Sequence, residues 1–511
     1  MLSSVQTVAF QGIETCRVTV QVQISNGLPA FTIVGLADKA VAESRERIRA
    51  SFQSIGLTLP AKRITVNLAP ADLQKEGSHY DLPVAMGLLS SMGIIPEDLL
   101  SEYLILGELG LDASIAPVSG VLSAAIFANL HSKGLICPKK CAKEASWSGN
   151  QAILAPPYLL DLIQHFKDQK IITPLLPYEG TSALAQEDDT AQEILDIKDI
   201  KGQLFAKRAL EIAASGGHNM LLIGPPGSGK SMLASRLSSI LPPLSAQEAL
   251  EVTVIHSHAG ELPDGGLVTK RPYRDPHYGA STPALVGGGS KAKPGELSLA
   301  HHGVLFLDEM PEFARTTLES LRQPLESHQI TIARANAHVT YPAKIQLIAA
   351  MNPCKCGYFG TSSKECSRSP LCAQDYQAKI SGPLLDRMDL FVDMPEVTFQ
   401  DMTSSDNGCT QTSETVKKRV HTTRLIQEKR SLEQTGAVVL NAHARGDYLK
   451  TITTLDEACH KVMAQAFDRL GLSARGYHRI LRVARTLADM EEVPTIEVGH
   501  LTEALQFRGG A

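Results

Sequence analysis

Residues 224–231 read Gly-Pro-Pro-Gly-Ser-Gly-Lys-Ser and directly follow the apolar run Met220-Leu221-Leu222-Ile223. No other stretch of the chain constrains its fold as tightly. The pattern G-x-x-x-x-G-K-[ST] works only as a loop between a buried strand and a helix, so it predicts an α/β domain. Its glycines, Gly224, Gly227 and Gly229, with Pro225, Pro226 and Ser228 between them, let the backbone curl so that N–H groups face phosphate oxygens. Lys230 then reaches the β and γ phosphates, and the Ser231 hydroxyl is placed to ligate Mg²⁺.

Two later strands supply what this loop lacks. Val304-Leu305-Phe306-Leu307 is a buried-strand run that ends in Asp308-Glu309. Asp308 is expected to hold the Mg²⁺ hydration shell and Glu309 to polarise the attacking water. Ile345–Met351 ends in Asn352, a polar group placed to sense a γ-phosphate. In open α/β sheets ligands bind at strand C-termini, and all three polar groups fall there.

The 511 residues predict roughly three domains. Short alternating strands, then helices, fill residues 1–175. A polar, acidic stretch, 176–193, reads as a linker. The nucleotide-binding α/β domain runs over 194–397. Residues 398–511 begin with a Ser/Thr/Asp-rich loop, Asp401 to Thr415, and continue as helices. A net charge of −5 excludes a uniformly basic coat and leaves room for a local basic channel. No cationic, apolar leader opens the chain and no apolar run approaches a membrane span, so no membrane partner is expected. Nine cysteines, an odd number, fit a reducing cytoplasm better than a disulfide framework.

The phosphate loop, GVLFLDE at 303–309, AAMNPCKCG at 349–357 and SGPLLDRMDL at 381–390 together resemble the magnesium-chelatase-like AAA+ proteins. The resemblance covers nearly the whole chain and is strongest to the branch that acts in bacterial competence. It implies an AAA+ core with an N-terminal Lon-protease-like α+β domain and a C-terminal helical lid. It further implies a homo-hexameric ring that binds ATP and Mg²⁺ between subunits. For the competence branch it implies an ATP-driven DNA helicase extending heteroduplex joints by branch migration in natural transformation, with single-stranded and branched DNA in the ring pore and recombination proteins as partners. The alternative within the family is a chelatase-type motor that remodels a protein partner for metal insertion into a tetrapyrrole.

Roles follow position by position. Arg387 sits where relatives place the arginine finger given to the next subunit, a task suited to a permanently charged, forked guanidinium. Arg475, Arg479 and Arg482 share one face of a helix whose opposite face carries Ile480, Ala484 and Leu487. The second sensor falls here, at Arg475 first and Arg479 second. An ion pair of Arg387 with Asp386 or Asp389, and a merely solvated arginine face, are the plain alternatives.

Residues 270–293 carry Lys270, Arg271, Arg274, Lys291 and Lys293 against one acid, Asp275, and include Gly287-Gly288-Gly289. The segment resembles the flexible insertion that this clade directs into the pore, where mobile cations grip phosphates without reading sequence. Gln329 to Ile345 alternates apolar and polar residues, carries Arg334 and Lys344, and looks like a β-hairpin serving the same end. Ordinary charged surface loops are the alternative for both.

Cys354, Cys356, Cys366 and Cys372 form the only dense cysteine group, at irregular spacing. Both a structural Zn²⁺ and reduced free thiols remain open. In the N-terminal domain, Lys75 and Ser78 are the conceivable serine–lysine pair of a Lon-type protease, but the pattern around them is shifted and proteolysis is not expected.

Overall fold

The computed structural model describes residues 2–175, 195–262, 266–289, 292–334, 337–359, 366, 369–397 and 411–508. The expected linker, Lys291 and most of 398–412 lie outside the described residues, as does the side chain of Arg334.

The nucleotide-binding part is built on a five-stranded sheet with spatial order Tyr273–Arg274, Val304–Leu307, Gln346–Met351, Met220–Ile223, Leu390–Asp393. Every pairing is parallel, with Ile223 opposite Met351 and Asp393, and Leu307 opposite Ala349. A parallel sheet needs cover on both faces, and the strand sequences are accordingly apolar at successive positions. Met220, Leu222, Phe306, Ile348, Ala350 and Val392 pack into one core, while Leu221, Leu305, Leu307, Leu347 and Ala349 pack into the other. The sensor strand Gln346–Met351 lies between the phosphate-loop strand and the strand bearing Asp308. That insertion places three C-terminal ends side by side.

The C-terminal helices do not form a separate body. Val420, Ile480, Leu487, Leu501 and Phe507 enter the same core as the phosphate-loop helix Lys230–Ile240. Each such fully buried side chain contributes about 1.5–3 kcal/mol. The helix Ser413–Thr435 starts inside the stretch expected to be loop, because Thr412 caps it by accepting the N–H of Thr415. Ser473 likewise caps the arginine-bearing helix Ala474–Met490 through the N–H of Gly476.

The N-terminal part is a mixed seven-stranded sheet in the order Ala30–Val34, Arg63–Ala69, Glu14–Ser25, Leu2–Gln11, Tyr103–Ile105, Gly134–Ile136, Ile153–Leu154. Its antiparallel centre and parallel flanks make it α+β in character. It is docked on the part built around the five-stranded sheet through the helix Ala246–Ala259. The Gly120 N–H donates to Ser257 Oγ at 3.1 Å, Ser257 Oγ donates to Glu144 at 2.5 Å, and Ser123 Oγ meets His258 Nε2 at 2.9 Å. The His258 ring stands edge-on to Phe10, 4.9 Å between centroids. Among the described residues, no helix is long and apolar enough to cross a membrane.

Candidate nucleotide site

The phosphate loop leaves its strand at Gly224 and re-enters helix at Lys230. Gly227 and Gly229 take positive φ of 80° and 90°, with open space where a side chain would stand, so glycine is needed for conformation rather than for room. The first-turn N–H groups of the following helix have no intrahelical acceptors and form an anion cradle with the loop. The residues present therefore fit a triphosphate.

Lys230 is buried, and its ammonium donates to the carbonyls of Gly224 at 2.7 Å and Pro225 at 2.8 Å and to Asn352 Oδ1 at 3.1 Å. Burial pushes its pKa down, and the charges of Asp308 and Glu309 act against that shift. Ser231 Oγ donates to Asp308 Oδ2 at 2.7 Å. The two expected Mg²⁺ ligands are thus already neighbours, although one follows the first strand and the other ends a strand two places away. Glu309 is exposed beside them in the left-handed region, φ 49°, while its own N–H donates to Asp308 Oδ1 at 2.9 Å. A non-glycine residue held in that conformation stores strain of the sort found at reacting centres.

Arg387 and Arg475 lie elsewhere. The Asn219 side chain donates to the Arg387 carbonyl at 3.0 Å, and Asn219 precedes the phosphate-loop strand. The strand Met220–Ile223, at ~3.3 Å per residue, therefore puts about 13 Å between this corner and Gly224. Arg387 donates to the carbonyls of Arg322 at 3.0 Å and Pro383 at 2.5 Å and pairs with Glu326 at 2.5 Å. Its intrachain partner is Glu326, not the neighbouring Asp386 or Asp389. Exposed Arg475 approaches the same carboxylate at 4.0 Å. Arg479 is buried, donates to the Met388 carbonyl at 3.0 Å and faces Asp389 at 3.7 Å. With Arg445 and Arg482 these residues line a cavity of about 190 Å³.

The basic insertion is more ordered than its glycines suggest. Tyr273–Arg274 is the edge strand of the central sheet, and Gly287–Gly288 pairs with Lys293–Pro294 as a short hairpin. Arg271 pairs with Glu248 at 2.9 Å and donates to the carbonyls of Pro242 and His302, while Arg274 is bracketed by Glu296 at 2.5 Å and Glu261 at 3.1 Å. Both are intrachain clamps rather than mobile cations. Lys293 is exposed and Lys344 half-buried. Gln329–Arg334 and Ala337–Pro342 do form the expected hairpin, burying Ile330, Ile332, Val339 and Tyr341. The two elements meet: Tyr341 donates to the Ala292 carbonyl at 2.9 Å, and a Cβ on Gly287 would lie 2.9 Å from Ile332 Cδ1.

Cys354, Cys356, Cys366 and Cys372 converge, with all four sulfurs within 4.8 Å of one another. In the N-terminal part, the Lys75 amine is buried on the Pro70 carbonyl and Ser78 Oγ donates to Glu108, so the two do not pair with each other. Sequence reasoning counted Asp275 only as the lone acid of the basic segment, whereas it follows the edge strand close enough to feel the Asp308 charge. Its pKa is raised by desolvation and then by the Asp308 charge. The strand before it is two residues long and leaves no periodicity to read.

A parallel sheet with lysine, serine, aspartate, glutamate and asparagine gathered at its C-terminal edge defines an ATP-hydrolysing P-loop protein with an AAA+ core. The family description "Magnesium chelatase, subunit ChlI" matches residues 196–402, "Subunit ChlI of Mg-chelatase" matches 20–141, and "Magnesium chelatase, subunit ChlI C-terminal" matches 410–508. The chain belongs to this magnesium-chelatase-like family. It is 42% identical to "Competence protein ComM" of Haemophilus influenzae, over 99% of this chain and 97% of that protein. It is 40% identical to "Uncharacterized protein YifB" of Escherichia coli over the same shares. A more distant likeness, 26% over 260 residues, links 47% of the chain to 32% of "DNA replication licensing factor mcm7" of Xenopus tropicalis.

Proposed function

We propose that this chain is a cytoplasmic, homo-hexameric, ATP-driven DNA helicase that promotes branch migration of recombination joints during natural transformation. The observation that carries the ring is the separation of Arg387 and Arg475 from the phosphate loop of their own chain. A finger at that corner can serve only a nucleotide held by another copy. Full-length likeness to a competence protein supports the DNA assignment, and Lys293 on the first of the paired hairpins with Lys344 just past the second offers a surface for phosphates.

In this reading Lys230 and the loop N–H groups bind the β and γ phosphates, and Ser231 with Asp308 holds Mg²⁺, which would neutralise developing phosphate charge. Glu309 accepts the proton of the attacking water. Asn352, already on Lys230, registers the γ-phosphate as the lysine trades its carbonyl acceptors for phosphate oxygens. The N-terminal part is a Lon-like domain without proteolytic function, consistent with Lys75 and Ser78 each bonding elsewhere.

The test is ATP hydrolysis with and without single-stranded, duplex and four-way DNA, alongside unwinding of the branched substrate. DNA-stimulated turnover and unwinding are expected. The family descriptions favour one other reading, a chelatase-type motor acting on a protein partner. An ATPase rate indifferent to every DNA, with no unwinding, would select that reading.

A further inference from the structure

The cysteine cluster sits against the nucleotide site, and its position gives it a role. Cys354 is buried two residues beyond Asn352, at the end of the sensor strand. Cys356 follows at 3.1 Å between sulfurs, too long for a disulfide bond of about 2.05 Å. Cys366 joins them, and Cys372 comes from the helix Leu371–Gln377. A tetrahedral Zn²⁺ with Zn–S near 2.3 Å requires sulfurs about 3.8 Å apart. Four sulfurs mutually within 4.8 Å meet that requirement after shifts of about 1 Å. The N–H of Tyr358 bonds to Cys356, the kind of outer contact that orients a thiolate ligand.

The same turn touches the phosphate loop. Gly357 has φ 84°, its N–H donates to the Cys354 carbonyl at 2.9 Å, and a Cβ there would stand 2.6 Å from Pro226 Cδ. Gln377, on the Cys372 helix, donates to the Pro353 carbonyl at 3.3 Å. Cluster, sensor and phosphate loop therefore form one contact chain, running from Cys372 through Gly357 to Pro226 and from Cys354 through Asn352 to Lys230.

We infer that Cys354, Cys356, Cys366 and Cys372 bind one Zn²⁺, and that the ion holds the turn after Asn352 against Pro226. The metal positions the γ-phosphate sensor and takes no part in hydrolysis. The inference rests on the nucleotide reading of the loop and is independent of DNA. Its first test is metal content, which needs neither ATP nor DNA, so its failure is distinguishable from failure of the helicase reading.

The full-length protein, expressed with added zinc, should carry one equivalent per chain by elemental analysis. Exchange for Co²⁺ should give the intense visible bands of a tetrahedral thiolate site. Cys356→Ser and Cys366→Ser should each lose the metal. The exposed position of Cys356 makes its variant the one that best retains the fold, checked by circular dichroism. In that variant affinity for a slowly hydrolysed ATP analogue should fall about tenfold, with a smaller loss for ADP. Absence of zinc from the wild type, or zinc retained in both variants, overturns the site. Zinc lost with the analogue and ADP affinities both unchanged, or weakened equally, overturns the positioning role.

Discussion

His258 makes the junction between the N-terminal and ATPase parts sensitive to acid. Its Nε2 meets Ser123 and its ring lies edge-on to Phe10. Burial alone lowers its pKa from 6.5 to about 4. As pH falls below ~6.5 the unfolded chain takes up this proton while the folded chain refuses it. The stabilisation is therefore complete above pH ~6.5 and drains away as pH falls toward 4. Between neutrality and pH 5 the loss integrates to about 2 kcal/mol, at ~1.4 kcal/mol per unit, or ~30-fold in the unfolding equilibrium. The single tryptophan, Trp147, lies in the N-terminal part just beyond Glu144, so its fluorescence reports this part alone. Urea titrations at pH 7.5 and 5 should show wild type losing about 2 kcal/mol more than His258→Gln, which keeps a partner for Ser123 but cannot titrate. His79 and Glu144 titrate near the same contact but are present in both proteins, so the difference isolates His258. Equal acid losses in the two proteins would refute the reasoning.

At the phosphate loop, Lys230→Ala should abolish nucleotide binding, while Glu309→Gln should bind ATP normally and lose 10²–10⁴-fold in turnover, roughly the worth of a positioned base; unchanged steady-state rates would remove the assignment. Gly357→Ala forces a side chain into Pro226 at positive φ, so ATP binding should weaken with little change in the N-terminal fluorescence transition. Glu326→Gln releases Arg387 from its intrachain partner; Glu326 is 49% exposed, so the pair is worth about 1 kcal/mol or less, and turnover should rise by ~5-fold at most, whereas a fall would place Glu326 in the working site. Neutralising Lys293 and Lys344 should lower the log–log salt slope of DNA binding by about 0.7–0.9 per lost phosphate contact, and an unchanged slope would move the DNA grip elsewhere.

Local chemistry was the part legible in advance. The phosphate loop, the Asp308-Glu309 strand end, Asn352 and the 329–342 hairpin announce themselves because each is a short run whose geometry its own residues dictate. Arg271 and Arg274 were read as free cations because their carboxylates, Glu248, Glu261 and Glu296, belong to other elements or to the far side of a turn. Charge counting within one segment cannot find a partner that only folding delivers. The tie between Arg387 and Glu326 was hidden for the same reason. The irregular cysteine spacing leaves zinc and free thiols equally open, and only the turn at Gly357 and the helix at Leu371 bring the four sulfurs together. The limits of the glycine argument show at Gly287, where Gly287–Gly288 forms a strand pair rather than a loose loop because it packs against Ile332.

In the proposed ring, the two ends of the central sheet explain why one chain would be an incomplete catalyst. The groups proposed to bind or sense phosphate lie at the C-terminal edge, with Asn352 within hydrogen-bonding reach of Lys230 and Ser231 of Asp308. The permanently charged groups able to stabilise a departing phosphate lie at the other end, where Asn219 anchors Arg387. A rigid sheet, covered on both faces, cannot fold one end onto the other. Within a single copy Arg387 satisfies its charge on Glu326 and two carbonyls, and Arg475 approaches the same carboxylate. Those bonds keep a buried cation tolerable, and in the proposed ring a neighbour's nucleotide would compete for it. Such a competitor would carry more negative charge than one carboxylate, so the exchange would favour assembly when the neighbour holds ATP and less when it holds ADP. In the proposed ring, hydrolysis at one interface would thereby change what the next copy's Arg387 and Arg475 hold, and a cycle of such exchanges would be a sufficient physical basis for directional work.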